Sequence, residues 1–277
     1  MYIGPGTQQK YAEFMKAIIL SAGQGKRLLP LTESRPKCML EVRGSQPVLE
    51  VQLRALAECG VDEAVVMVGF GADEVEDFLA KTTIPGIRVR TFFNPFYAQS
   101  DNLATVWLAR PEMTEDFLIL NGDTLFEPAV LDRLLASPPA PLTVTINEKS
   151  DGYDDDDMKV RLNGGRRLKN VSKKLDGKID GESIGMMRFQ GEGIEQFKQA
   201  LDDAVRAQSG LSAWYLQVVD TLASAMHIET TPITGLWWGE VDCLEDLVSV
   251  REGLERLDKQ REAPAFVSPG EERIEGR

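Results

Sequence analysis

Residues 17–20, Ala-Ile-Ile-Leu, form a short unbroken apolar run. A run of this length without alternation fits a strand buried on both faces, the kind found inside a largely parallel sheet. The segments after it repeat the theme. Val48, Leu49, Val51, Leu53, Leu56 and Ala57 recur at near-helical spacing over 47–59 and stop at Gly60, which predicts a helix with a glycine cap. Strand character returns at 63–69, 87–93 and 116–120, with helices expected at 72–81 and 102–110. Strands alternating with helices imply crossover units and a sheet with helices on both faces. The fold class expected is therefore α/β, a Rossmann-like, mixed but mostly parallel central sheet flanked by helices.

From about residue 142 the rhythm changes. Strand-like runs cover 142–146, 158–162 and 183–189, helices are expected at 193–208 and 212–226, and a last strand at 235–241 leads into a helix at 243–257. This second half reads as an insertion, about 142–232, followed by a return to the same sheet. One domain is expected over 15–258, after an N-terminal extension at 1–14. The segment 259–277, charged and broken by Pro264, Pro269 and Gly270, is expected to be a flexible tail.

Composition narrows the partners. The 277 residues are 43% hydrophobic, enough for a packed core. With 44 acidic against 31 basic residues the net charge is -13, so neither nucleic acid nor an anionic membrane is an expected partner. Cys38, Cys59 and Cys243 are far apart and odd in number, which indicates neither a disulfide framework nor a zinc site. Residues 1–14 are too polar for a signal peptide, and no later run approaches the roughly 18 apolar residues of a membrane span. A soluble cytoplasmic protein is the expectation, and a homodimer is compatible with it.

Directly after the first strand comes Ser21-Ala22-Gly23-Gln24-Gly25-Lys26-Arg27, and Pro36-Lys37 lies nine residues further on. Without Cβ atoms, Gly23 and Gly25 let backbone N–H groups approach an anion, and Lys26 and Arg27 add positive charge. An ordinary strand-to-helix turn with two exposed cations is the competing reading. Two familiar phosphate loops do not fit. The P-loop needs glycines five apart and a hydroxyl after its lysine, where this chain has Arg27, and the dinucleotide fingerprint needs glycine where it has Leu28. At the far side of the sequence, Asp123 ends the strand-like segment FLILNG and Asp242 comes directly after WWGEV. Carboxylates there would face the crevice at which open α/β sheets bind ligands, although a lone strand-terminal aspartate also serves as a helix cap or turn former.

These segments together, S-A-G-Q-G-K-R-L with R-P-K-C-M-L, then N-G-D-T at 121–124 and E-V-D-C-L-E-D-L at 240–247, resemble the sugar nucleotidyltransferase superfamily over roughly 15–258. Further resemblance to its phosphocholine cytidylyltransferase branch comes from N-P-F-Y-A-Q-S-D-N-L-A-T-V-W-L-A-R at 94–110 and E-S-I-G-M-M-R-F at 182–189. The resemblance implies a nucleotidyltransferase fold of the GT-A type whose insertion binds the acceptor. It implies Mg2+ held by Asp123 and Asp242, and a nucleoside triphosphate gripped by residues 21–26 with Tyr97, Ser100 and Asn102. The chain has Asp101 where the family more often has asparagine, which leaves Asn102 as the amide for a pyrimidine edge. CTP is favoured over UTP or dTTP.

For the reaction, the resemblance implies that Arg27 acts on the β- and γ-phosphates, Lys37 on the α-phosphate, and Lys173, with Lys174 as its neighbour, on the acceptor phosphate. The acceptor expected is a small phosphorylated alcohol, phosphocholine first. A quaternary ammonium is held by ring faces and carboxylates, and Tyr153, Glu182, Trp214 and Trp237 are the residues proposed for it, with Tyr215 and Trp238 also available. Trp214 and Tyr215 read equally as helix core. A sugar-1-phosphate or inositol-1-phosphate nucleotidyltransferase is the alternative, and a non-catalytic nucleotide-binding regulator a second. The acidic run 151–157 reads most simply as a solvated loop, and His227, the one histidine, as a surface residue.

Overall fold

The computed structural model describes residues 14–207 and 210–262. Among them the chain forms thirteen strands and seven α-helices. The first half runs β1 (Lys16–Ser21), a short hairpin of β2 (Glu41–Arg43) and β3 (Gln46–Pro47), α1 (Val48–Glu58), β4 (Glu63–Val68), α2 (Ala72–Lys81), β5 (Arg88–Phe93), α3 (Asn102–Leu108), β6 (Phe117–Asn121), β7 (Thr124–Phe126) and α4 (Pro128–Leu135). The second half comprises β8 (Leu142–Asn147), β9 (Lys159–Leu162), β10 (Leu168–Val171), β11 (Gly181–Phe189), α5 (Glu192–Arg206), α6 (Tyr215–Ala223), β12 (Ile228–Pro232), β13 (Trp238–Glu240) and α7 (Leu244–Glu262).

The main sheet is ordered β10-β9-β11-β6-β1-β4-β5, with β8 paired to β11 and to β12. β1 lies parallel between β4 and β6, and β5 extends this parallel half. β11 joins antiparallel to β6 and begins the mixed half contributed by the second part of the chain. This is the expected mixed, mostly parallel sheet. β1 shows why its sequence had to be uniformly apolar: Ile18 enters the core under α3, α5 and α6, while Ala17 and Ile19 enter the opposite core under α1 and α4. All three side chains are fully buried. A third cluster, containing Leu28, Val42, Leu125, Val241, Val250 and Leu254, seats α7 against β2, β7 and β13.

Several expected boundaries move. The helix expected at 243–257 continues to Glu262, four residues into the segment read as a tail, and the rest of that segment lies outside the described residues, as does most of the N-terminal extension. The strand expected at 235–241 is shorter, Trp238–Glu240, and instead of returning to the main sheet it pairs with β7 in a separate two-stranded ladder. β2, β3, β7, β10 and α4 are additions to the elements expected. Four of them are strands of two to four residues, too short for a periodicity to register.

Candidate active site

The carboxyl ends of the parallel strands converge on one edge of the sheet, and the loops there build the crevice. Ser21 ends β1, and the Phe70 N–H donates to the Ala22 carbonyl (3.0 Å), tying the first loop to the end of β4. Gly25 has φ of +76°, and a Cβ on it would lie 3.0 Å from the Cβ of Lys37. Both reasons require glycine: the left-handed backbone turns the loop, and the missing side chain makes room for the lysine stem. The Thr32 hydroxyl donates to the Gly25 carbonyl (2.8 Å) and the Gln24 amide to the Thr32 carbonyl (3.2 Å), so the loop is internally fixed. Lys26 is exposed at the start of a short 3-10 turn, Lys26–Leu28.

Asp123 and Asp242 are brought together by a ladder the sequence conceals. β13 pairs antiparallel with β7, setting Glu240 opposite Thr124, and the Val241 N–H donates to the Asp123 carbonyl (3.2 Å). Below the turn, buried Gln52 of α1 donates its amide to the carbonyls of Asn121 (2.9 Å) and Thr124 (2.8 Å). Gly122 lies so close to β1 that a Cβ would meet the Leu20 carbonyl at 2.5 Å. On the other side, the Asp246 carboxylate accepts the N–H groups of Asp242 and Cys243, each at 2.9 Å. Asp246 thereby fixes the entry to α7 as a cap would. Gln52, Asp246 and Glu240 are positions the motif reading missed. The spacing of Asp246 after Asp242, at the mouth of a helix, was the signal available for one of them.

Between the two aspartates sits Lys37. Its ammonium donates to Asp123 and, at 2.8 Å, to Asp242 Oδ1. Burial works against that charge, but the two carboxylates outweigh it and raise the lysine pKa further. Asp242 is pulled down, against the effect of burial, by Lys37 and then Arg27. Arg27 donates to Asp242 Oδ2 (2.8 Å) and to Asp156 Oδ2 (2.9 Å). Glu240 is the outlier: burial, then the like charges of Asp123 and Asp242, push its carboxyl well above the usual range.

This donor set fits magnesium. Asp123 Oδ1 is buried and accepts from no N–H or hydroxyl group among the described residues, while the Glu240 carboxyl lies within hydrogen-bonding reach of the same side chain. Magnesium takes one or two carboxylates and fills its octahedron with water and phosphate oxygens. No group of three His, Cys, Asp or Glu side chains among the described residues forms a ready cation cage, and magnesium at a phosphate site needs none.

Two cavities share Trp214 as a wall. One, of about 220 Å3, is walled by Ala22, Gly23, Tyr97, Ser100, Asn102 and Trp214, with Asp101 and Thr105 at its edge. Neighbours position its wall: Tyr97 packs where a Gly69 Cβ would stand, and the Ser100 hydroxyl donates to the Phe96 carbonyl (2.8 Å). The Asn102 side-chain oxygen accepts the Tyr215 N–H (3.0 Å), which leaves its amide hydrogens for a ligand. The second cavity, of about 680 Å3, is bordered by Asp155, Lys173, Lys174, Asp176, Trp214 and Gln217. Trp214 is thus common to both, and the Lys173 ammonium lies 4.7 Å from its ring centre.

Three expected acceptor residues lie elsewhere. Glu182 is buried and bound by Lys149 (2.8 Å) and the Asn147 amide (2.8 Å), so its carboxylate is consumed internally. Trp237 presses its indole against α7, where a Gly253 Cβ would stand 2.2 Å from Nε1, within the third core cluster. Tyr153 uses its hydroxyl to accept the Lys149 N–H (3.1 Å) and so holds a turn. Of the remaining aromatics, Tyr215 is fully buried and donates its hydroxyl to the Asn121 side chain (3.2 Å), while Trp238 pairs with Phe126 in the ladder. The acidic run is folded, too: Lys149 grips Asp157 (2.9 Å) and Asp156 reaches Arg27. His227 is exposed beside Glu229, the surface place expected for it. Cys38 is buried, which pushes its thiol up to about 12 and leaves it no nucleophilic role.

Residues 17–226 match the model of the MobA-like NTP transferase domain. The chain belongs to that family. Among similar proteins, CMP-5'-(3-aminopropyl)phosphonate synthase of Streptomyces rubellomurinus is 32% identical over 240 residues, 82% of this chain and 37% of that one. Choline-phosphate cytidylyltransferase of Streptococcus pneumoniae is 34% identical over 113 residues, 41% of this chain and 47% of that one. The matched segments thus span less than half of either relative. In fold it is similar to the inositol-1-phosphate CTP transferase of T. maritima, with a TM-score of 0.74 at 20% identity, covering 89% of this chain and 97% of that one. Among the described residues, no helix of this nucleotidyltransferase is long and apolar enough to cross a membrane.

Proposed function

We propose that the protein transfers the cytidylyl group of CTP to a small phosphate or phosphonate carrying a cationic amine, with phosphocholine the first acceptor to test. One observation carries this reading. Lys37, Asp123, Asp242 and Arg27 form a single charge cluster at the strand ends, Ala22 and Gly23 of the loop that carries Arg27 line one cavity, Lys173 lines another, and the two cavities share Trp214.

The smaller cavity suits a pyrimidine, with the Asn102 amide and the backbone of Ala22 and Gly23 at its polar edge. Arg27 and the loop after β1 take the β- and γ-phosphates. An acceptor oxygen held by Lys173 attacks the α-phosphorus, a new P–O bond forms, and the bond to the β-phosphate oxygen breaks to release pyrophosphate. Because the attacking group is already an anion, alignment and charge neutralisation replace a general base. Lys37, released from its carboxylates, is placed to track the charge growing on the α-phosphate. Magnesium held by Asp123 and Asp242 would neutralise and align the phosphates.

For the acceptor's head, Trp214 offers a ring face and Asp155 and Asp176 offer carboxylates on the larger cavity, the chemistry an amine or quaternary ammonium requires. The cytidylyltransferase of Streptococcus pneumoniae and the synthase of Streptomyces rubellomurinus take, by their names, choline phosphate and an aminopropylphosphonate, both cationic at one end and anionic at the other. The test is a panel of CTP, UTP and dTTP against phosphocholine, 3-aminopropylphosphonate, inositol-1-phosphate and hexose-1-phosphates, read as released pyrophosphate. CTP with a cationic acceptor is expected to lead. Turnover confined to the sugar or inositol phosphates overturns the acceptor assignment, and CTP binding without pyrophosphate from any acceptor points to a regulator.

A further inference from the structure

The acidic turn places a carboxylate where the reaction needs a phosphate. Asp156 is bound by Arg27 at 2.9 Å and stands 3.6 Å from the Lys173 ammonium. Those are the two cations that the proposed reaction assigns to the nucleotide's phosphates and to the acceptor's. Lys173 in turn lies against the Trp214 ring, so one exposed carboxylate links the phosphate loop after β1 to the wall shared by both cavities.

We infer that Asp156 is an internal competitor for the anion, occupying the place between Arg27 and Lys173 until a phosphate or phosphonate displaces it. The turn is built for such exchange. Its base is fixed: Lys149 joins Asp157 to buried Glu182, and the Asp154 N–H donates to Asp157 Oδ2 (2.8 Å). The neighbouring Asp156 side chain is 74% exposed, with both contacts made to cations at the solvent edge. Exposed ion pairs of this kind are worth little and exchange readily. A single carboxylate charge shared by two cations gives way to a doubly charged phosphate or phosphonate. Asp156 therefore sets the affinity of the site, lowering it for every anion by the fraction of molecules in which the carboxylate holds the place. The inference rests on the anion roles proposed for Arg27 and Lys173, not on the identity of the nucleotide or the acceptor.

Its test reads binding without turnover. Inorganic phosphate is titrated into the full chain while Trp214 emission is monitored, and Trp214→Phe, with three other tryptophans left, assigns the signal. Asp156→Asn is expected to bind phosphate about two- to five-fold more tightly than the parent, the range an exposed ion pair covers. Asp151→Asn, the same charge change at the exposed start of the turn, controls for the chain's overall negative field and is expected to leave the midpoint unchanged. Unaltered or weaker phosphate binding by Asp156→Asn, with its melting temperature at the parent value, overturns the inference, as does an equal gain in Asp151→Asn. If Asp156→Asn does not fold, Asp156→Ser gives the same reading. Loss of all CTP turnover in the parent with the binding difference intact would instead count against the proposed reaction.

Discussion

The two ends of the crevice are made from different materials. At the proposed nucleotide end, Asp123 and Asp242 flank the ladder of β7 and β13, braced by Gln52 beneath and Asp246 beside, with Lys37 between them. At the proposed acceptor end, Lys173 and Asp155 stand on connecting segments around an open cavity, and Asp156 beside them meets Arg27 and Lys173 at the surface. The contrast assigns each end a task. Reaction chemistry common to a family needs fixed charges in a low-dielectric setting, where each is worth most. Recognition of one acceptor among many needs positions that change without disturbing the sheet.

Neutralising the buried end is expected to cost the most activity. Asp123→Asn keeps the shape of the side chain and removes the charge facing Lys37. Turnover is expected to fall about a thousand-fold or more, with melting changed by only a few degrees because the Gln52 and Val241 contacts to that turn are backbone ones. Pyrophosphate release and a thermal melt on the same preparation check it. Near-parental turnover would remove Asp123 from the site.

Lys173→Met probes the open end and is expected to act on a different quantity. The acceptor KM should rise about ten-fold, the scale of one charge-assisted contact, while the KM for CTP stays near its parental value and stability changes by about 1 kcal/mol or less. A matching rise in the CTP KM would show that Lys173 serves both cavities and that the division at Trp214 is not functional.

The same contrast explains what was legible in the chain. The buried end was readable because its demands are local: an unbroken apolar strand, glycines where the loop after β1 must turn and admit Lys37, and aspartates directly after strand-like runs. Each leaves a mark within about ten residues. Its bracing did not leave one, since Gln52 on α1 reaches a turn 69 residues away and nothing in the helix pattern distinguishes it from a surface glutamine. At the acceptor end composition misled. Glu182 and Trp237 have the right chemistry for a cationic ligand, yet Glu182 is spent on Lys149 and Trp237 on the face of α7. Trp214, which reads equally as helix core, turned out to wall both cavities. Residue type predicts a binding role only when the fold leaves the side chain unspent.

The smallest effect expected is at Glu240, and it sharpens the account of the buried end. Burial and two like charges hold its carboxyl above the ordinary value, so the folded state binds that proton more tightly than the unfolded chain does. Stability linked to Glu240 is therefore present below the unfolded pKa of roughly 4.3 and is lost as pH rises through the folded value. Asp242 runs the other way. Its lowered pKa contributes stability above roughly 3.9 that is lost as pH falls through the folded value. Glu240→Gln removes the third negative charge and spares the Lys37 pairs. In the absence of magnesium it is expected to stabilise the protein near neutral pH by about 1 kcal/mol, a rise of a few degrees in melting temperature. That gain should shrink toward about pH 4, where the parent carboxyl is already protonated. Melts of both proteins across this interval check it: a pH-independent difference, or a loss at neutral pH, would mean that the Glu240 charge is balanced by its surroundings and that the three carboxylates do not repel one another as their burial implies.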